Sequence, residues 1–229
     1  MIEYGNFATI EGSDGSGKAT QTEITHTWIV EELGKTVLKL SFPRYGEPSA
    51  VYVEKYLNAD YGQADDVPAD LGALPFIIDR VAAKPIIERH LHLPNSFALS
   101  DRYVASNLAH QGTKISDEKT RHEFYERTMR TEYEVLEIPK PRINIVLLVS
   151  TSTAQLNVDK KDVRSYTDKK RDIHEANASH LDRAKANYEE LCRLYPDEFT
   201  PIQCMDEDGN MRLPEDIQSE IRRILVDII

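Results

Sequence analysis

Residues 12–18 read Gly-Ser-Asp-Gly-Ser-Gly-Lys, and this stretch decides the fold. It fits the pattern G-x-x-x-x-G-K, in which a glycine-rich turn follows a strand and opens a helix. The glycines let backbone N–H groups turn toward phosphate oxygens, the helix N-terminus adds partial positive charge, and Lys18 adds a full charge. The stretch therefore predicts a phosphate loop over residues 12–19. The residues expected to contact a bound nucleotide are Gly12, Ser13, Asp14, Gly15, Ser16, Gly17, Lys18, Ala19 and Thr20.

The position after the lysine departs from the common pattern. A Ser or Thr usually stands there and its hydroxyl holds Mg²⁺, whereas this chain has Ala19 followed by Thr20. Either carboxylates and water hold the metal, or Thr20 shifts to help. ATP binding does not depend on that hydroxyl, so the phosphate loop is still expected to bind ATP.

Short apolar runs alternate with segments of helical periodicity along the chain. The apolar runs cover residues 7–10, 36–42, 97–99, 143–149 and 199–204, and the helical segments cover residues 18–33, 116 onward, 173–195 and 214 onward. The run 143–149 is apolar on both faces after Asn144, which is typical of an interior strand of a parallel sheet. The alternation predicts one α/β domain over residues 1–229 with a P-loop NTP-binding fold, a five-stranded parallel sheet with helices on both faces.

Composition and charge exclude several classes of protein. The 229 residues include 28 Lys and Arg against 39 Asp and Glu, a net charge of -11, which argues against coating nucleic acid or anionic lipid through bulk charge. No apolar run approaches the roughly 20 residues of a membrane span, and no export signal is visible. Cys192 and Cys204 lack metal-type spacing and are too few for a disulfide framework. We therefore expect a cytoplasmic protein without nucleic-acid or membrane partners.

Residues 160–171 concentrate positive charge within this acidic chain. This basic segment holds six Lys or Arg and two Asp, a net charge of +4. A charge run taken alone is usually a solvated loop. It gains a function only if a polyanionic ligand binds nearby.

A second group of residues suits an acceptor nucleotide. Asp101 and Arg102 directly follow the third apolar run, at a strand end where ligands of parallel sheets bind, and arginine forks onto phosphate with two hydrogen bonds. Phe76 and Arg80 share one helical face and suit a flat base with carbonyl oxygens. Taken alone, Asp101 and Arg102 are equally typical of a structural ion pair, and Phe76 of plain core packing.

Taken together, these stretches resemble the thymidylate kinases, a family of P-loop nucleoside monophosphate kinases, in a bacterial form. The matching stretches are EGSDGSGK at 11–18, FPRYG at 42–46, Phe76 with Arg80, DRYVASN at 101–107 and DIHE at 172–175, and their order and spacing match over nearly the whole chain. The resemblance implies phosphoryl transfer from ATP to dTMP, giving dTDP and ADP in dTTP biosynthesis. It also implies Mg²⁺, a lid over about 159–173, and a homodimer.

The resemblance further implies roles for individual residues. Phe76 would stack on thymine, Arg80 would hydrogen-bond its carbonyl, and Asn107 would also face the base. Asp14 and Glu175 would be the metal ligands, and the bulk of His110 near the sugar would exclude a 2′-hydroxyl. His110 and His174 stand where relatives often have aromatic residues, and Ile173 stands where an arginine is usual. The implied substrate-binding residues are Phe42, Tyr45, Phe76, Arg80, Arg102, Asn107, His110, Asp172, His174 and Glu175.

The chemistry of the implied reaction assigns the cations. The acceptor phosphate has a second pKa of about 6, so it is already a dianion and needs no general base. Catalysis then requires positioning and positive charge. Some members of the family carry an arginine where this chain has Gly15, so the transition-state cation is expected from the lid, with Arg164, Lys169, Lys170 and Arg171 as candidates. The residues predicted to be catalytic are Lys18, Arg102, Asp14, Arg164 and Arg171.

Two other functions stay open from the residues alone. A deoxynucleoside kinase would need a carboxylate base after the second strand to deprotonate a 5′-hydroxyl, and Glu47 is close to that position. A nucleotide-binding module without chemistry would account for the missing hydroxyl at Ala19. A GTPase is disfavoured because the guanine motif N-K-x-D is absent from the sequence.

Overall fold

One parallel sheet contains all five apolar runs. Its strands are β1 (Glu3–Gly12), β2 (Thr36–Ser41), β3 (Ser96–Asp101), β4 (Lys140–Leu148) and β5 (Phe199–Gln203), arranged in the order β2-β3-β1-β4-β5. All four neighbouring pairs are parallel. The predicted fold class is confirmed, although β1 begins four residues earlier than its apolar run because Glu3 and Tyr4 pair with the start of β4.

The computed structural model describes residues 3–159 and 178–229. Within these ranges the helices are α1 (Lys18–Glu31), α2 (Val51–Leu57), α3 (Ala69–Leu91), α4 (Val104–Gly112), α5 (Glu118–Arg130), α6 (Thr151–Asp159), α7 (Ala178–Leu194) and α8 (Pro214–Val226). A π-helical turn, Thr131–Val135, follows α5. Most of the predicted lid, about 159–173, lies outside the described residues. The predicted site residues that lie there too are Arg164, Lys169, Lys170, Arg171, Asp172, His174 and Glu175.

Two apolar layers cover the sheet. Along β4, Val146 and Leu148 pack in one buried cluster, whereas Ile145 and Leu147 pack in the other. Side chains alternate across a strand, so a strand covered on both faces is apolar at nearly every position. This confirms the interior position predicted for residues 143–149. No helix in the described ranges is both long enough and apolar enough to cross a bilayer.

The carboxyl ends of all five strands lie at one edge of the sheet, because every neighbouring pair is parallel. β1 ends at Gly12 and β3 at Asp101, and their neighbours run in the same direction. The register pairs Ile10 with Asp101, so the phosphate loop and the residues after β3 emerge side by side. The chain therefore brings its two predicted binding stretches, 90 residues apart in sequence, to one cleft.

A polar cluster ties α5 to α7 on the outside of the sheet. The Arg121 guanidinium donates to both carboxylate oxygens of Glu190 at 2.8 and 2.9 Å. The Tyr125 hydroxyl donates to Glu190 at 3.0 Å, and Nε2 of His122 lies 3.0 Å from the same carboxylate. The hydrogen bonds from Arg121 are the main cause that lowers the pKa of Glu190 from 4.5 to about 2.

We predict that Glu190→Gln destabilises the chain in a pH-dependent way. Because the folded-state pKa lies below the unfolded value, Glu190 contributes its full stabilisation above pH 4.5 and loses it as the pH falls toward 2. The free energy of unfolding should fall by about 1 to 3 kcal/mol at pH 7 and by much less at pH 3. Urea unfolding between pH 7 and 3 measures this difference.

Glu123→Gln is the matched control, because Glu123 pairs with Lys119 only across an exposed surface. This variant should unfold like the wild type at each pH. A stability gap between Glu190→Gln and the wild type that stays constant down to pH 3 would contradict the assignment.

Candidate active site

A cleft of about 640 Å³ opens at the carboxyl edge of the sheet. Its donor side is lined by phosphate-loop residues Asp14, Gly15, Gly17, Lys18 and Ala19, with Thr20 beside them. Its acceptor side is lined by Phe42, Tyr45, Phe76, Arg80, Arg102, Asn107 and His110. Gly12, Ser13 and Ser16 are buried within the loop. The structure thus brings together the described residues that the sequence assigned to the two nucleotides, and their individual roles stay predictions.

The phosphate loop packs directly against α6. Lys18 Nζ donates to the Ser13 carbonyl at 3.1 Å, and Asn157 on α6 donates to the Gly15 carbonyl at 2.9 Å. Gly15 has a φ of +79°, and a Cβ placed there would lie 2.1 Å from the Ala154 carbonyl oxygen. Position 15 therefore has no room for an arginine side chain.

Two carboxylates of the cleft are of the ligand type that Mg²⁺ prefers. Asp14 lines the cleft 3.8 Å from Lys18 Nζ. Asp101 also lines the cleft, and its Oδ1 is buried without a hydrogen-bond partner in the described part of the chain. An orphaned buried carboxylate oxygen fits a cation ligand, because burying it without a partner is costly. Asp101 was not predicted as a ligand, although its place at the end of β3 was the available signal.

Arg102 joins the acceptor side of the cleft to the phosphate loop. Its Nη2 donates to Asp14 at 2.7 Å, and its Nη1 donates to the Gly12 carbonyl and to Ser106 Oγ, both at 3.1 Å. Burial alone would lower the pKa of Arg102, but the negative charge of Asp14 raises it above its ordinary value. The guanidinium therefore keeps its positive charge at the centre of the cleft.

Glu11 is a buried acid beneath Arg102 that the sequence interpretation passed over. It accepts from the Tyr103 backbone N–H at 2.6 Å, from Ser106 Oγ at 2.7 Å and from the Tyr188 hydroxyl at 3.1 Å. Burial raises the pKa of Glu11 despite these bonds. Since Ser106 also accepts from Arg102, Glu11 anchors the arginine indirectly.

A pair of histidines extends this network away from the cleft. Arg102 Nη1 lies 3.3 Å from His110 Nε2, and His110 Nδ1 lies 3.2 Å from His180 Nε2. Oγ1 of Thr113 lies 3.2 Å from His180 Nδ1. Because arginine only donates, His110 Nε2 accepts the hydrogen bond from Arg102. His180 contributes from α7, a long-range contact that sequence spacing does not reveal.

The side of the cleft formed by α3 combines aromatic rings with one buried ion pair. Phe76 packs edge-on against Tyr56 with ring centroids 5.9 Å apart. Asn107 donates to the Ala73 carbonyl at 3.2 Å. The Arg80 guanidinium donates through Nε and Nη2 to Glu132 at 2.6 and 2.8 Å. Arg80 thus lines the cleft while one edge of its guanidinium is already occupied.

The fold and the cleft define a class of protein. A phosphate loop at the carboxyl edge of a parallel sheet, facing a second cationic wall, is the architecture of P-loop enzymes that transfer phosphoryl groups between nucleotides. The family model for thymidylate kinase matches residues 10–207 of the chain. The chain therefore belongs to the thymidylate kinase family.

Individual relatives agree with this membership. Thymidylate kinase from Mycobacterium tuberculosis is 32% identical over 186 residues, covering 80% of this chain and 83% of the relative. A probable thymidylate kinase from Methanosphaera stadtmanae is 24% identical over 187 residues, covering 82% and 84%. The solved structure of thymidylate kinase from Candida albicans superimposes with a TM-score of 0.71 at 17% identity, covering 99% of this chain and 93% of that one. At that identity the superposition supports the fold.

We predict that Gly15→Ala weakens ATP binding and stability together. The new methyl group must displace the Ala154 carbonyl, which should lower the free energy of unfolding by about 1 to 3 kcal/mol beyond the cost of the positive φ. Gly34→Ala is the control, because Gly34 also has a positive φ, +64°, but has open space around it. Urea unfolding and calorimetric titration with ATP measure both effects. Equal losses in the two variants would show that packing against α6 is unimportant.

Proposed function

We propose that the chain transfers the γ-phosphoryl group of ATP to dTMP, producing dTDP and ADP as a step toward dTTP. The observation that carries this proposal is a cleft with two cationic positions, Lys18 and Arg102, that share the carboxylate of Asp14 at 3.8 and 2.7 Å. Membership of the thymidylate kinase family supports dTMP as the acceptor.

The reaction needs charge neutralisation more than proton transfer. A phosphate oxygen of dTMP attacks the γ-phosphorus of ATP, the bond from that phosphorus to the β–γ bridging oxygen breaks, and ADP leaves. Lys18 would neutralise the donor phosphates and Arg102 would hold the acceptor phosphate, with Phe42 and Tyr45 beside it. Asp14 would keep both cations in place. These interactions act mainly by positioning two polyanions that otherwise repel each other.

Mg²⁺ fits this site through carboxylates of the chain. Asp14 and Asp101 are the described residues that would hold it, and Glu175, outside the described residues, is our third candidate. When bound, the ion supplies positive charge to the donor phosphates. Arg164 and Arg171 stay our candidates for the transition-state cation, and Asp172 and His174 for acceptor contacts.

The base and sugar would bind at the side of the cleft formed by α3 and α4. Phe76 would stack on thymine, while Arg80 and Asn107 would hydrogen-bond its polar edge. His110 would lie near C2′ of the sugar, where its bulk excludes a ribose hydroxyl. All four residues line the same cleft as Lys18, which supports a nucleotide lying between α3 and the phosphate loop.

The alternative functions receive less support. A deoxynucleoside kinase needs a carboxylate poised over the acceptor hydroxyl. Glu47 is exposed and does not belong to the cleft lining formed by the described residues. A binding module without chemistry would not require Arg102 to be held over the phosphate loop.

We predict that ADP is released when ATP is supplied with dTMP and not with thymidine. Arg102→Ala should lower kcat/KM for dTMP by about 100-fold or more, because a buried charge that binds phosphate is removed, while ATP still binds. Coupled ADP-release assays and calorimetry measure these effects.

The control is Arg127→Ala, which removes an arginine paired with Asp70 on an exposed surface, and it should leave turnover unchanged. Consumption of thymidine would favour the deoxynucleoside kinase. ATP binding without ADP release from any acceptor would favour the binding module.

A homodimer is part of the proposal. The resemblance of the sequence to thymidylate kinases implies it, and an exposed apolar patch on α3 and its neighbours supports it. This α3 patch consists of Tyr52, Tyr61, Leu71, Leu74 and Ile78, each between 45% and 57% exposed. Contiguous apolar surface of this kind marks a site of protein association.

We predict that the double variant Leu74→Glu/Ile78→Glu is monomeric, because two charges on each copy would face each other across the interface. Light scattering after size-exclusion chromatography measures the mass. Leu156→Glu, on exposed α6, is the control and should leave the mass unchanged. A dimer that persists in the double variant places the interface elsewhere.

A cytoplasmic location also belongs to the proposal. Cys192 and Cys204 are both free and buried. Burial raises the pKa of each thiol to about 12, so both stay protonated at neutral pH. Two unpaired thiols suit a reducing compartment.

A further inference from the structure

Arg80 and Glu132 form an ion pair that is withdrawn almost completely from solvent. Arg80 is 1% exposed and Glu132 is 0% exposed. Nε and Nη2 of Arg80 donate to separate oxygens of the Glu132 carboxylate at 2.6 and 2.8 Å, and Nη1 donates to the Tyr103 carbonyl at 3.3 Å. Burial alone would lower the pKa of Arg80, but Glu132 raises it, so the guanidinium is charged.

The pairing leaves part of the guanidinium available to other hydrogen-bond acceptors. Arginine carries five N–H donors and no acceptor. The three bonds to Glu132 and Tyr103 use three of them, and the other two have no partner among residues 3–159 and 178–229. Arg80 lines the cleft. A carboxylate that grips one edge of a planar group fixes the direction of the remaining donors.

Stability alone is a poor explanation for this pair. A buried ion pair often contributes little net stability, because desolvation offsets the attraction between the charges. Glu132 reaches Arg80 from the π-helical turn Thr131–Val135, and such turns are frequent at functional sites. A second bidentate pair, Arg121 with Glu190, has similar distances but lies outside the cleft lining. The Arg80–Glu132 pair therefore lies at the cleft, whereas the Arg121–Glu190 pair does not.

We propose that Glu132 is a positioning residue that holds Arg80 with its two remaining N–H donors facing the base of the acceptor nucleotide. The inference rests on the proposed function and deepens it. Two fixed donors match a base edge that presents a carbonyl oxygen, as thymine and uracil do. They oppose a base that presents an exocyclic amino group there, as cytosine does, because two donors face each other. Glu132 thus sets selectivity for a keto pyrimidine through Arg80.

The test compares the dissociation constants of dTMP and dCMP by calorimetry, together with kcat and KM for dTMP. In Glu132→Gln the new amide N–H₂ opposes the guanidinium, so Arg80 loses its fixed orientation. We expect the dCMP-to-dTMP ratio of dissociation constants to fall at least tenfold, with KM for dTMP raised and KM for ATP unchanged. Glu132→Asp keeps the charge but draws it back by one methylene, so its ratio should fall severalfold and less than in Glu132→Gln.

Glu190→Gln is the matched control, because it makes the same substitution in the pair outside the cleft lining. It should keep the wild-type ratio even though it is less stable. A wild-type ratio in Glu132→Gln overturns the inference, and if that variant does not fold, a wild-type ratio in Glu132→Asp overturns it. A wild-type chain that releases no ADP with dTMP overturns the proposed function and this inference with it. Wild-type activity with dTMP and unaltered selectivity in the variants overturns the inference alone.

Discussion

The contact between Asp14 and Arg102 is the interaction on which the cleft depends. It joins the phosphate loop after β1 to the residues after β3 through a 2.7 Å hydrogen bond between opposite charges. Lys18 Nζ lies 3.8 Å from the same Oδ1 atom of Asp14. Without that carboxylate, two cations would face each other in a partly buried space, and their repulsion would push the two halves of the site apart. One acidic side chain therefore makes a doubly cationic cleft stable before any phosphate binds.

Buried polar groups around this contact hold Arg102 in place, although their burial costs free energy. Glu11 is removed from water beneath Arg102, and three donors offset part of the cost of its burial. His110 accepts from the same arginine and is held in turn by His180. Networks of this kind are rigid when every member has a partner. Burial of the apolar layers stabilises the fold. This stabilisation offsets the cost of burying polar residues at the carboxyl edge of the sheet in one fixed geometry.

Local patterns in the sequence predicted the parts of the molecule that depend on local chemistry. The glycine-rich turn predicted the phosphate loop, and the five apolar runs predicted the sheet. Both features leave a pattern within a few consecutive residues, because they depend on backbone freedom and on strand burial. Helices α2, α4 and α6 were not predicted because they are short, with seven, nine and nine residues. Only part of α3 was predicted, through the helical face that Phe76 and Arg80 share, because Pro75 and Pro85 interrupt its pattern. Glu132 and His180 could not be predicted, because their partners lie 52 and 70 residues away and only the tertiary fold brings them together.

The two helices that border the basic segment are fastened to opposite halves of the cleft. Asn157 near the end of α6 grips the Gly15 carbonyl on the donor side, and His180 near the start of α7 meets His110 on the acceptor side. A shift of α6 would therefore move the backbone at Gly15, whereas a shift of α7 would move His110 and the guanidinium of Arg102 beside it. Each half of the cleft is thus braced by its own helix, so a change in the spacing between α6 and α7 would change the separation of the two halves.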